Sequence, residues 1–108
     1  MSSRELLELA AKAAGYRIKF GASGDPYIQA GMNTRAWNPL TDDGDALRLA
    51  VKLDINIRYH SVLGQAFAKN AGIERQIEQN VEECNSDRYQ ATRRAIVLAA
   101  AEVGRTMP

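Results

Sequence analysis

Two short stretches, Tyr16-Arg17-Ile18-Lys19-Phe20 and Ile55-Asn56-Ile57-Arg58-Tyr59-His60, alternate apolar and polar residues without a break. A period of two places Tyr16, Ile18 and Phe20 on one face of an extended segment, and Ile55, Ile57 and Tyr59 on one face of another. Such strands are dry on one side only, as in antiparallel sheets. A half-dry sheet needs a cover, and the segments around both strands read as helices. The expected class is therefore α+β. An antiparallel sheet of about four strands packs with three helices in the order α-β-β-α-β-β-α, a two-to-three-layer sandwich.

The first helix carries a capping-box pattern at Ser2 and Glu5. Leu6, Leu9, Ala10 and Ala13 recur on one face, Glu8 and Lys12 are spaced as an i,i+4 pair, and Gly15 marks the stop. Gly21 to Pro26 reads as a turn, and Tyr27 to Ala30 as a second, edge-like strand. Gly31 to Asn38 has no period. A second helix begins near Thr41 or Asp42, with Ala46, Leu47, Ala50 and Leu53 as its buried stripe.

Residues 61–84 are harder to read. Val62 to Ala68 suits a strand that Gly64 weakens. Ile73, Ile77 and Val81 fit either a helix or a strand facing water, and the need of the confident strands for partners favours strand. The last helix is capped by Asn85 or Ser86, with Asp87 in its first turn. Tyr89, Thr92, Ile96, Ala99 and Val103 form its stripe as far as Gly104, a span of about twenty residues or ~30 Å. No repeat, linker or low-complexity segment interrupts residues 1–108, and one domain is expected.

Fourteen basic residues against thirteen acidic ones leave a net charge of +1, too little for long-range steering onto nucleic acid. One Cys excludes an internal disulfide, and one His leaves no His/Cys zinc cluster. No metal and no cofactor are expected. The longest apolar run, Ala95 to Ala101, is seven residues, against the ~20 needed to span a bilayer. No targeting signal is visible at the first residues, so the expectation is a cytoplasmic protein that does not touch a membrane.

Each chemical candidate has a plain structural alternative. Asp42, Asp43 and Asp45 lack the alternating ligands of a calcium loop and suit the positive end of a helix. His60 falls on the wetter face of its strand, with no nucleophile or acid placed beside it by the sequence. Cys84 has no second thiol and reads as a packing residue. Gly21-Ala22-Ser23-Gly24 lacks the lysine of a phosphate loop and reads as a turn. Arg88, Arg93, Arg94 and Arg105, less Glu102, give the last helix +3 over residues 88–105. These cations either meet phosphates or form a solvated, ion-paired face, for which the four glutamates among residues 74–83 are a ready counterweight. Trp37 is an interface anchor if exposed and a pin between loop and core if buried.

The blocks WNPLTDDGDALRLAVKL (37–53) and ATRRAIVLAAAEVGR (91–105), with a looser match over Leu6 to Ala14, resemble the phage ABA sandwich domain family. The resemblance implies a small α/β sandwich and a phage or prophage origin. It implies no activity and no site residues. At Asp87-Arg88-Tyr89 this chain departs from the family pattern, in which a proline follows the aspartate.

The preferred expectation is a non-catalytic phage or prophage accessory module that binds an unidentified phage or host protein. Trp37, Arg88, Arg93 and Arg94 are its candidate surface. The alternative is a nucleic-acid-associated protein using Arg88, Arg93, Arg94 and the cationic strand face at Arg17 and Lys19; a small enzyme comes third. One continuous cationic face would favour nucleic acid, and a mixed face with exposed aromatics would favour protein.

Overall fold

A computed structural model describes residues 2–30 and 32–108. The chain runs α1 (Ser3–Ala14), β1 (Ile18–Phe20), β2 (Pro26–Ala30), β3 (Asn33–Ala36), α2 (Asp43–Lys52), β4 (Ile55–His60), β5 (Gln65–Asn70), β6 (Ile77–Asn80), a 3₁₀ turn (Val81–Cys84) and α3 (Arg88–Thr106). The α+β class holds, with three helices on antiparallel strands. In place of one sheet of about four strands there are two three-stranded meanders, β1-β2-β3 and β4-β5-β6.

The extra strand in the first half is β3. Its residues, Asn33-Thr34-Arg35-Ala36, are all exposed, so no apolar period marks it. Its pairing from Tyr27↔Ala36 to Ala30↔Asn33 puts β2 in the centre of its sheet, not at an edge. In the second half, β4 and β5 pair from Ile55↔Asn70 to His60↔Gln65, and β6 joins through Ala68↔Ile77 and Ala66↔Gln79. Ile77 and Gln79 belong to a strand facing the core, whereas Val81 already lies in the 3₁₀ turn.

The capping box forms as read. The Ser2 hydroxyl accepts from the Glu5 backbone N–H at 3.2 Å, and the Glu5 carboxylate accepts from the Ser2 backbone N–H at 3.3 Å. Gly15 closes α1 at φ +78°, where a Cβ would be strained. The expected Glu8–Lys12 pair is not made. Glu8 takes Arg4 at 3.2 Å, and the Lys12 ammonium reaches the Met107 carbonyl at 3.0 Å.

Helix α3 is the axis of the core. It packs against α1, α2 and all three strands of the second sheet. It therefore buries Ala91, Ala95, Ile96, Val97, Ala99, Ala100, Ala101 and Gly104, not one stripe. Its cap is Asp87, whose carboxylate accepts from the Tyr89 and Gln90 N–H groups. Asn85 and Ser86 have φ of 56° and 57°, left-handed values that end the preceding turn and do not suit an N-cap. Gly104 lies within the helix, where a Cβ would meet the Leu9 backbone, its carbonyl carbon only 2.9 Å away. Among the described residues, no helix is long and apolar enough to cross a membrane.

Candidate functional site: an apolar groove beside an open sheet edge

On α2 the buried face is Asp45, Ala46, Leu49 and Ala50. Leu47 and Val51, one turn apart, make a second apolar row with no cover. They are 59% and 70% exposed; Tyr89 of α3 is 65% exposed and Ile57 of β4 39%. Leu47, Ile57 and Tyr89, with Ala46, Tyr59 and Ile96, line an open groove of about 480 Å³ between α2, β4 and the first turns of α3. The expected stripes thus lose Leu47 and Tyr89 to the surface, because Leu49 and the alanines of α3 fill the space beneath.

Three charged residues border the groove. Arg88 stacks its guanidinium 5.0 Å from the centroid of the Tyr59 ring. Arg93 is different: its Nη1 lies 2.6 Å from the Asp43 carboxylate and its Nε donates to the Leu40 carbonyl at 2.9 Å. It serves as a clasp between α3 and the start of α2, with its charge neutralised. Arg94 lies elsewhere, in a separate hollow with Arg4, Leu7, Phe20 and Leu40. The expected basic helix face is therefore divided, and only Arg88 stands exposed beside the groove.

Trp37 is 2% exposed and meets Tyr16 edge to face, with ring centroids 5.8 Å apart. It pins the β3–α2 loop to the core and is not part of a surface. This corrects its place among the candidate contact residues: so large a ring gains more from burial against the core and Tyr16 than from exposure.

The acidic run is spent on structure. Asp42 caps α2 by accepting from the Asp45 N–H at 2.8 Å. Asp43 pairs with Arg93. Asp45 is buried, accepting from the Asn38 N–H at 3.0 Å and from Arg48 at 2.8 Å, with Arg35 at 3.7 Å. His60 accepts at Nδ1 from the Leu63 N–H, 3.2 Å away, closing the β4–β5 turn. Cys84 is buried in the 3₁₀ turn, and burial pushes its thiol pKa up, favouring the unreactive protonated form. Among the described residues none of the four glutamates expected to offset α3 forms a salt bridge; Arg75 between them reaches Glu102, which also holds Arg105.

The groove borders an open sheet edge. Strand β4 is hydrogen-bonded only to β5, so alternate N–H and C=O groups along its other side have no strand partner among the described residues. Apolar side chains beside a free edge, with Arg88 at the rim holding no ion pair among the described residues, can bind a protein segment. The sequence signal for it was the i,i+4 pair Leu47 and Val51, which lies off the main stripe of α2. No protein-family model, no curated protein and no solved structure matches this chain.

Proposed function

We propose that the chain is a small, non-catalytic accessory protein of phage or prophage origin that binds a phage or host protein in the cytoplasm of the host cell. Its contact surface is the groove at Leu47, Ile57 and Tyr89, with Arg88 at the rim. The carrying observation is the uncovered row of Leu47, Val51, Ile57 and Tyr89 beside a basic helix whose Arg93 is already paired. A mixed face with an exposed aromatic suits a protein partner, whereas phosphate binding needs clustered free cations. The origin is supported by the likeness of residues 37–53 and 91–105 to the phage ABA sandwich family.

The test is a titration with fragments selected from a displayed library of host and phage proteins. At least one purified fragment is expected to bind, and Leu47→Asp and Tyr89→Asp should each weaken it about tenfold or more while the chain stays folded. Binding insensitive to both substitutions would remove the groove from the function. Tighter binding to oligonucleotides than to any fragment would favour the nucleic-acid reading.

A further inference from the structure

Resting on that reading, we infer that the groove takes an extended, acidic segment of its partner as an additional strand on the free edge of β4. Three observations carry this. First, the uncovered apolar surface beside the β4 edge is confined to a few side chains, Leu47, Ile57 and Tyr89 in the groove with Val51 next to it, whereas each side of a standard interface buries ~800 Å². So small a patch is too little for a globular face or a second copy of the chain, and it suits a single segment that also gains main-chain hydrogen bonds.

Second, the register of the sheet sets which side chains of such a segment enter the groove. Ile55, Ile57 and Tyr59 share the face that β5 covers with Ala66 and Ala68 and β6 with Ile77. A strand added to β4 continues that face, so its side chains at i and i+2 fall beside Ile57 and Tyr59, in the groove roofed by Leu47 and Tyr89. These positions select apolar residues.

Third, the charge is one-sided. Arg88 lies over the Tyr59 ring, and Arg58, on the opposite face of β4, lies 4.7 Å from the centroid of the Phe67 ring. Both guanidiniums are exposed, and neither is ion-paired to a carboxylate among the described residues. Asp43, the carboxylate at the groove, is held by Arg93. Acidic residues facing the groove would meet Arg88, and Arg58 adds a second cation on the sheet's other face, turned toward β5.

The probes are synthetic peptides of about eight residues. One alternates valine with glutamate and one alternates valine with lysine. A third sets leucine and glutamate at helical spacing. Affinity and amide hydrogen exchange of the full chain are measured together. The valine–glutamate peptide is expected to bind about tenfold more tightly than the valine–lysine peptide and to slow exchange at the alternate β4 amides that β5 leaves free. Arg88→Glu should narrow or reverse that preference without loss of fold, and Ile57→Asp should weaken both extended peptides. Unprotected β4 amides at saturating peptide, tighter binding of the helical peptide, or an unchanged preference in Arg88→Glu would overturn strand addition. So would a concentration-dependent dimer of the chain alone that protects the same amides. A protein fragment that depends on Leu47 yet leaves β4 unprotected would overturn the strand mode alone, whereas a fragment indifferent to Leu47 and Tyr89 would overturn the groove itself.

Discussion

The Arg93 guanidinium lies 2.6 Å from the Asp43 carboxylate while its Nε donates to the Leu40 carbonyl, so one side chain ties α3 to the N-terminus of α2 and to the loop before it. The pair is lopsided, with Arg93 16% and Asp43 71% exposed. Water screens the carboxylate, and the backbone carbonyl is the partner that suffers if the arginine is removed.

Removing that arginine should therefore matter more than removing its neighbour. Arg93→Ala is expected to cost about 1–3 kcal/mol, chiefly from the Leu40 carbonyl left without its donor. Asp43→Asn should cost under ~1 kcal/mol. Arg94→Ala should fall within ~0.5 kcal/mol of the parent, as for ordinary surface changes. Urea unfolding of the three variants gives the order, and an Arg94 effect equal to that of Arg93 would contradict it.

Gly104 sits where α3 crosses α1, and the group a side chain would strike is the Leu9 backbone carbonyl. Backbone cannot be moved by a rotamer change. Gly104→Ala should thus destabilise by about 1–3 kcal/mol, although alanine is the better helix former by ~1 kcal/mol. Trimming the Leu9 side chain should not rescue it. A thermal melt of Gly104→Ala at or above the parent temperature would show that the helices can separate at no cost.

Trp37 supplies a spectroscopic check, because it is the sole tryptophan. Its buried ring against Tyr16 should emit at short wavelength and resist quenching by acrylamide, and binding at the groove should leave the emission unchanged. Trp37→Ala should cost about 3–5 kcal/mol, as large core truncations do. Red-shifted emission that is quenched freely would put the ring back on the surface.

What the sequence made legible, and what it hid, follows from burial. Alternation marked β1 and β4 because the apolar face of each is at least partly covered, at Ile18 and Phe20 in β1 and at Ile55 and Tyr59 in β4. It missed β3, since Asn33 to Ala36 are all exposed and bury no apolar side chain. Periodicity placed α2 and α3 but mistook Leu47 and Tyr89 for core. A helix in contact with several partners buries small residues on many sides, and the alanines of α3 carry too little hydrophobic contrast to show it. Gly104 looked like a helix stop because a glycine near a C-terminus usually is one; its close approach to Leu9 depends on a residue 95 positions away. A separation of 50 residues likewise hid the Asp43–Arg93 clasp, and with it the division of the basic helix face.

The capping box makes the stability of α1 depend on pH. Hydrogen bonds from the Ser2 hydroxyl, and then from its backbone N–H, hold the Glu5 carboxyl pKa below its ordinary value. A lowered folded-state pKa gives stability that is present above the unfolded value and is lost as pH falls through the folded one. The parent should therefore exceed Ser2→Ala in melting temperature near neutrality, with the gap narrowing through the acid range. A gap that widens on acidification would reverse the sign and refute the carboxylate's role in the cap.

Nucleic-acid binding is the outcome that would most change the functional reading, and the arrangement of cations argues against it. Arg93 is paired, Arg94 lies in a hollow apart from Arg88, and Lys19, with Arg17 just before its strand, lies on the other sheet. A single duplex or strand would meet few of them at once. With about three phosphates neutralised, the logarithmic salt slope would be about −2.7, and binding at ~150 mM salt should be no tighter than roughly 10 μM. Fluorescence anisotropy with labelled duplex and single-stranded oligonucleotides across a salt series measures both quantities. Arg88→Ala combined with Arg94→Ala is the informative variant, since neither residue clasps the fold as Arg93 does. Submicromolar binding lost in that double variant would mean that the two cations act together on one ligand despite their separation, and the basic helix would then replace the groove as the functional surface.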